Sequence, residues 1–294
     1  MKKIVWLLIR SFVVFIYFAV KVIPLKTALA LGGFLGDAVF FLLPGQREKS
    51  IENLRRAFKD KPGSEVYGIA RMAFENLGRN FFELLCFRRT GGRKRESYVE
   101  VHGREILEEN FRKGRGLIIL MSHFGNWELQ AGTIGKMGYP VSAIARRVID
   151  PVLNGMLVSF RRKSGFRTIL RGESPKEVLR VLKRREILVI LLDQFSARLP
   201  GVHVDFFGRK CYASSGLASI VRKLEVPVLP SYIVRKKYGH ELWIKKPVSI
   251  KKGGGRDDDL FENTQKFTKE IEGWVREYPS QWVWMHDRWR GGGN

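Results

Sequence analysis

The sequence is poor in cysteine, in histidine and in acid. Only 2 cysteines occur in 294 residues, Cys86 and Cys211, far apart and without Cys-x-x-Cys spacing. That excludes a disulfide framework and a cysteine zinc site, and it fits a reducing, cytosol-facing location with both thiols as buried structural groups. Among the 5 histidines there is no His-Glu-x-x-His run, and His102, His203, His240 and His286 keep no metal-like spacing with His123. No metal is expected. Acid is scarce: 29 Asp and Glu stand against 53 Lys and Arg, a net charge of +24. A surface of ion pairs would hold the two signs nearer balance. The surplus implies an anionic partner: nucleic acid, anionic lipid, or a phosphorylated or acidic substrate. Nucleic-acid motifs are missing and the basic residues are spread along the chain, so no nucleic-acid partner is expected. There is no internal repeat. With 45% hydrophobic and 28% charged residues, the chain is neither disordered nor polytopic, and it is long enough for an ample core.

At the amino end, Ile4 to Val20 is apolar except for Arg10 and Ser11. This is the short end of what a bilayer span needs, about 17–25 residues. Trp6, Phe12, Phe15, Tyr17 and Phe18 suit a membrane interface, and Ala19-Val20-Lys21 is a poor cleavage site. A second apolar stretch, Ala28–Leu43, carries Gly32, Gly33, Gly36 and Asp37 and reads as a packed or membrane-dipping helix rather than a span. The expectation is a membrane-anchoring segment over residues 1–45 and a second domain over 46–294 on the cytoplasmic side. An ordinary first core helix is the competing reading.

Beyond Pro44-Gly45 the patterning predicts helices over Arg47–Lys59, Ser64–Leu85, Gly103–Lys113, Trp127–Met137, Pro151–Gly165, Pro175–Lys183, Ser215–Leu224 and Asp257–Tyr278. Strands are expected at Tyr98–Val101, Leu117–Leu120, Val141–Ala145, Thr168–Leu170, Ile187–Leu192, Val226–Val234 and Leu242–Pro247. Arg88–Arg95 reads as a basic loop, Phe195–Ala213 as a Gly-, Pro- and aromatic-rich loop, and Gly291–Gly293 as a tail. Strands alternating with helices at this spacing give an α/β fold with a mixed, mostly parallel central sheet flanked by helices.

The chain is organised around Leu117–Glu128. A buried strand runs into Ser122-His123, Gly125-Asn126 breaks it, and a helix starts near Trp127. Open α/β sheets place chemistry at the carboxyl ends of strands. His123 and Glu128 form a His-x4-Glu pair in which imidazole can take a proton from a hydroxyl while a carboxylate fixes its tautomer. A core or helix-capping histidine would give the same string. Asp193-Gln194 ends a second buried strand, where the side chains either line the same cleft or form a turn.

Several blocks share a resemblance. Ser122-His123-Phe124-Gly125-Asn126-Trp127-Glu128 is similar to the corresponding block of the bacterial lipid A biosynthesis acyltransferases of the late lauroyl/myristoyl transferase type. So are Arg47 through Asn53-Leu54 and Phe58, Arg146-Arg147 with Pro151, Asn154 and Arg161 to Gly165, Leu192-Asp193-Gln194 with Val204-Asp205-Phe206-Phe207-Gly208 and Ala213, and Pro279-Ser280-Gln281-Trp282-Val283-Trp284-Met285-His286-Asp287-Arg288-Trp289. Where that family usually shows Tyr-Arg-Pro, this chain has Ala145-Arg146-Arg147, which leaves the acceptor open.

The resemblance implies a membrane-anchored enzyme of the glycerolipid-acyltransferase-like α/β fold at the cytoplasmic face of the inner membrane. It would move a fatty acyl group from acyl carrier protein, or from acyl-CoA, to a hydroxyl of a lipid A precursor. The thioester is a co-substrate and no bound cofactor is implied. His123 would be the general base and Glu128 its orienting partner. Arg146 would hold the oxyanion or a substrate phosphate unless it is a solvated surface arginine. Arg161 is a further candidate of that kind, and Asp193 and Gln194 are candidates to line the substrate cleft. Trp282, Trp284 and Trp289 are expected to pack. The basic excess would then face acyl carrier protein, anionic membrane lipid and the acceptor's phosphates. A related acceptor such as a phosphatidylinositol mannoside fits the same residues.

Overall fold

In a computed structural model of the chain, residues 2–20, 22–86, 98–170 and 175–290 are described. The expected basic loop Arg88–Arg95 and the tail Gly291–Gly293 lie outside them. The chain begins with helices α1 (Lys2–Ala19), α2 (Leu25–Leu42), α3 (Pro44–Ala57) and α4 (Gly63–Cys86). Leu8, Phe15 and Phe18 of α1 and Phe34 and Leu42 of α2 are exposed. Among the described residues, α2 is the one helix long and apolar enough to cross a membrane by length and composition, at mean hydropathy 1.5. The apolar stretch expected at Ile4–Val20 falls in α1, whose apolar part is the shorter Trp6–Ala19, and the anchoring segment expected over residues 1–45 takes in both helices. The glycines of α2 do serve packing. A Cβ on Gly36 would sit 2.2 Å from the Phe74 carbonyl oxygen of α4, and one on Gly78 of α4 would sit 2.0 Å from that of Gly32.

The rest alternates strands and helices: β1 (Val99–His102), α5 (Arg104–Arg112), β2 (Leu117–Met121), α6 (Trp127–Lys136), β3 (Val141–Ala145), α7 (Pro151–Lys163), β4 (Phe166–Leu170), α8 (Pro175–Lys183) and β5 (Ile187–Leu191). Then come β6 (Gly201–Phe206), β7 (Arg209–Ser214), α9 (Gly216–Lys223), β8 (Val228–Arg235), β9 (His240–Ile244) and α10 (Arg256–Glu277). Seven strands form one sheet in the order β1, β9, β8, β2, β5, β3, β4. Neighbours from β8 to β4 are parallel. β9 runs antiparallel to β8, and β1 is parallel to β9. This is the mixed, mostly parallel α/β sheet that the alternation implied.

All five residues of β2 are buried, and alternate ones enter different cores. Ile118 and Leu120 pack with Phe267, Ile271 and Trp274 of α10, while Leu117, Ile119 and Met121 pack with Leu129 and Ile134 of α6. A central parallel strand covered on both faces reads as a continuous apolar run for this reason. Because β3, β5, β2 and β8 run the same way, the segments that follow them, beginning at Arg146, Leu192, Ser122 and Lys236, share one edge of the sheet.

The segment expected as an open loop, Phe195–Ala213, contains the β6–β7 antiparallel hairpin, with Val204 opposite Cys211 and Phe206 opposite Arg209. Its two-residue turn is Phe207-Gly208, both with positive φ (58° and 71°), the geometry that joins twisted strands tightly.

Candidate active site

The site is assembled by strand pairing. β2 and β5 are neighbours with Met121 opposite Leu191, so two residues beyond the strands His123 meets Asp193. Asp193 accepts from the His123 main-chain N–H through Oδ2 and bonds the ring Nδ1 through Oδ1, both at 2.9 Å. Trp282 Nε1 donates to the same Oδ2, also at 2.9 Å. Asp193 is buried. Burial alone would raise its carboxyl, but the charge of His123 and its two hydrogen bonds outweigh burial and hold the group well below the usual carboxylate range. With Nδ1 bound to a carboxylate, Nε2 is the ring nitrogen left to take a proton.

The loop carrying His123 is held from several sides. Gly125 has φ +54°, and a Cβ there would lie 1.9 Å from the Ile233 carbonyl oxygen. Its N–H donates to Gln281 O at 2.8 Å, and its carbonyl accepts from Asn80 Nδ2 at 2.6 Å. Asn126 caps α6 by accepting from Leu129 N–H, and its Nδ2 donates to Glu83 at 2.6 Å. Glu83 is itself buried on α4 and bonded by Arg235, His240 and Tyr98. Burial alone would raise the Glu83 carboxyl, yet His240 and Arg235 keep it far below its usual value. Burial pushes His240 down despite the carboxylate beside it.

Glu128 does not touch His123 by any hydrogen bond among the described residues. It lies in the first turn of α6 and forms a two-pronged ion pair with Arg161 at the end of α7, Nε to Oε2 at 2.9 Å, with both side chains nearly covered (11% and 12% exposed). The expected pairing of Glu128 with His123 is therefore corrected. Asp193 already occupies Nδ1, and Arg161 claims Glu128.

A cavity of about 720 Å³ brings the remaining candidates together. His123, Glu128, Arg146, Arg161 and Gln194 line it, with Trp127, and its apolar wall includes Ala131, Ala143, Phe166, Ile169, Leu179 and Val189. Asp193 supports this lining from beneath without reaching the cavity. Gln194 bonds the Nε2 of His286 at 2.6 Å, and the His286 ring lies 5.6 Å from that of His123. Burial pushes His286 down to about 4. Asp193 opposes this, and the charges of His123, Arg146 and Lys49 add to it. The ring is thus neutral at physiological pH. Arg146 is exposed and makes no ion pair among the described residues.

Two members of the site were not singled out from sequence. His286 was excluded as a metal ligand and given no other role. Trp282 was read as packing, which it does at 1% exposure, while its indole N–H also serves Asp193. Their place in the Pro279–Trp289 block was the available signal.

The profile of the bacterial lipid A biosynthesis acyltransferases matches residues 2–291. The chain belongs to that family. A phosphatidylinositol mannoside acyltransferase of Mycobacterium tuberculosis is 22% identical over 257 residues, covering 86% of this chain and 80% of that protein. A lipid A biosynthesis acyltransferase of Haemophilus influenzae is 21% identical over 281 residues, covering 92% and 84%. A lipid A biosynthesis myristoyltransferase of Escherichia coli is 22% identical over 260 residues, covering 87% and 77%. Membership makes the chain an acyltransferase, and the site sets a carboxylate-bound imidazole and arginine side chains at the mouth of a largely apolar cavity.

Proposed function

We propose that the chain moves a fatty acyl group from the thioester of acyl carrier protein to a hydroxyl of a phosphorylated lipid A precursor, with His123 as general base. The observation that carries this reading is the Asp193-held His123 lining a largely apolar cavity. His123 Nε2 takes the acceptor's hydroxyl proton as that oxygen forms a bond to the thioester carbonyl carbon. The tetrahedral oxyanion collapses, the C–S bond breaks, and the imidazolium returns the proton to the departing thiolate. Atoms and charge balance without a further reactant.

Asp193 fixes the tautomer and stabilises the imidazolium. The amides of His123, Phe124 and Gly125 are committed to Asp193, Ser122 and Gln281, which leaves the oxyanion to other donors of the cavity. Arg146, cavity-lining and without an ion pair, takes that role. Glu128 holds Arg161 at the cavity, where its guanidinium suits an acceptor phosphate. Gln194 and neutral His286 line the same approach. The acyl chain occupies the apolar part of the cavity.

A second reading keeps the mechanism and changes the acceptor to a mannosylated phosphatidylinositol. Mycobacterial relatives of that name match as well as the lipid A enzymes do, and Ala145-Arg146-Arg147 departs from the usual lipid A pattern. The test is transfer of labelled acyl groups from acyl carrier protein to each acceptor, wild type beside His123→Ala. Transfer to the lipid A precursor that His123→Ala abolishes supports the first reading. Transfer only to the mannoside replaces the acceptor. Transfer undiminished in His123→Ala overturns the mechanism.

A further inference from the structure

Outside the amino-terminal helices, few large apolar side chains among the described residues are exposed, and two of the most exposed occupy the same edge of the sheet as His123. Ile149 is 77% exposed in the segment after β3, and Tyr238 is 78% exposed in the turn after β8. In the sheet order β8, β2, β5, β3, these tips flank the site from either side. Adjacent strands lie about 4.8 Å apart, so the two tips bracket His123 across roughly three strand spacings. Each tip carries cations in near sequence: Arg147 before Ile149, and Lys236-Lys237 before Tyr238. Lys236 shares its charge with Glu241 at 3.1 Å. Arg147 and Lys237 have no ion pair among the described residues.

We propose that these two tips are a docking surface for an anionic lipid bilayer, seating the active-site edge of the sheet on the membrane. An apolar side chain beside cations is the arrangement that enters a headgroup layer of negative charge. A protein partner would have to match two separate convex tips, whereas a bilayer is continuous across both. The inference deepens the proposed function, since it rests on a lipid acceptor reaching His123 from the bilayer. It also makes the membrane contact two-sided, with the amino-terminal helices as one hold and these tips as the other.

The native thiols are buried (Cys86 2%, Cys211 0% exposed), so single cysteines can be labelled in the full chain. An environment-sensitive fluorophore is placed at Ile149→Cys, at Tyr238→Cys and at Phe261→Cys. Phe261 is 42% exposed near the start of α10, whose opposite end adjoins the Gly125 loop. It therefore marks the far edge of the sheet. The protein is reconstituted into vesicles of phosphatidylcholine alone or mixed with phosphatidylglycerol. The expected result is a blue shift at 149 and 238, quenched by lipid-borne spin label, in the mixed vesicles only, with 261 unchanged. Labels at 149 and 238 that behave as 261 does overturn the docking surface, and equal shifts in both vesicle types overturn its anionic character. The readout is independent of acyl transfer. A chain that docks in this way yet transfers nothing loses the proposed function and keeps the docking surface.

Discussion

Asp193 grips His123 twice, once at the main-chain N–H and once at the ring Nδ1, each at 2.9 Å. The first bond places the residue and the second places its tautomer, so one carboxylate sets both the position of the imidazole and which ring nitrogen is left to take a proton. Asparagine at 193 keeps the volume but can offer its amide N–H to Nδ1, which moves the ring proton to Nε2 and removes the base. If His123 is the base, Asp193→Asn is expected to lower turnover on the order of 10⁴-fold with the KM for the acceptor nearly unchanged. Single-turnover transfer with labelled donor measures it. A loss confined to KM would show that Asp193 does not act through His123.

The Glu128–Arg161 pair makes a prediction opposite to the one spacing alone suggested. Were Glu128 the partner of His123, removing Arg161 would leave the base intact. With both side chains nearly covered, removing either partner strands the other's charge. Glu128→Ala and Arg161→Ala should therefore each weaken acceptor use, and the double variant should lose less than both losses combined. The expected coupling is about 1–3 kcal/mol, read from kcat/KM in a double-mutant cycle. Additive losses would uncouple the two residues.

The Asp193–His123 and Glu128–Arg161 pairs mark where local pattern stops being informative. β2 was legible because a strand covered on both faces must be apolar throughout, and His123 was legible because a polar residue ends that run before a glycine. The partner was not. Asp193 lies 70 residues from His123, and only the pairing of β2 with β5 joins them, whereas Glu128 was the carboxylate that short-range spacing could nominate. The β6–β7 hairpin escaped for a related reason. Its turn begins with Phe207 at φ 58°, a conformation a phenylalanine adopts only under tertiary restraint. The Phe207 N–H donates to Glu272 at 2.9 Å and the Arg276 guanidinium lies 4.2 Å from its ring centroid, contacts that come from distant α10.

Gly125 tests how tightly the loop carrying His123 is held. A side chain there would meet both a left-handed φ and the Ile233 carbonyl at 1.9 Å. Gly125→Ala is expected to cost about 1–3 kcal/mol in stability, seen as a lower melting temperature, and to reduce transfer further than that loss explains, because His123 is displaced from Asp193. Wild-type turnover in a folded Gly125→Ala protein would show that the loop tolerates another path.

The site should also make the protein acid-labile. His286 is held at about 4 in the folded chain against about 6.5 when unfolded. Between these values the unfolded state binds more protons, so stability falls as pH drops through that window. His240, also pushed down, acts in the same direction. The full His286 contribution is on the order of 3 kcal/mol near pH 4. In thermal melts between pH 7 and pH 4, values set by that window, the wild type should lose more melting temperature than His286→Gln, since glutamine has no proton to gain. Parallel curves would remove His286 from the acid response.

Ala143 faces the cavity from β3 and is 7% exposed, opposite Val189 of β5 in the sheet register. Its small side chain leaves room that a leucine would fill. If the acyl chain lies in this space, Ala143→Leu must reject the longest donors first, since each methylene left without room costs roughly 1–3 kcal/mol. The expected outcome is a shift of the preferred donor to a shorter acyl chain, with kcat/KM for that shorter donor retained and for longer ones reduced at least tenfold. Competition between acyl carrier protein donors of graded length reads this directly. A uniform loss across all lengths would instead place the chain elsewhere and leave Ala143 as core packing.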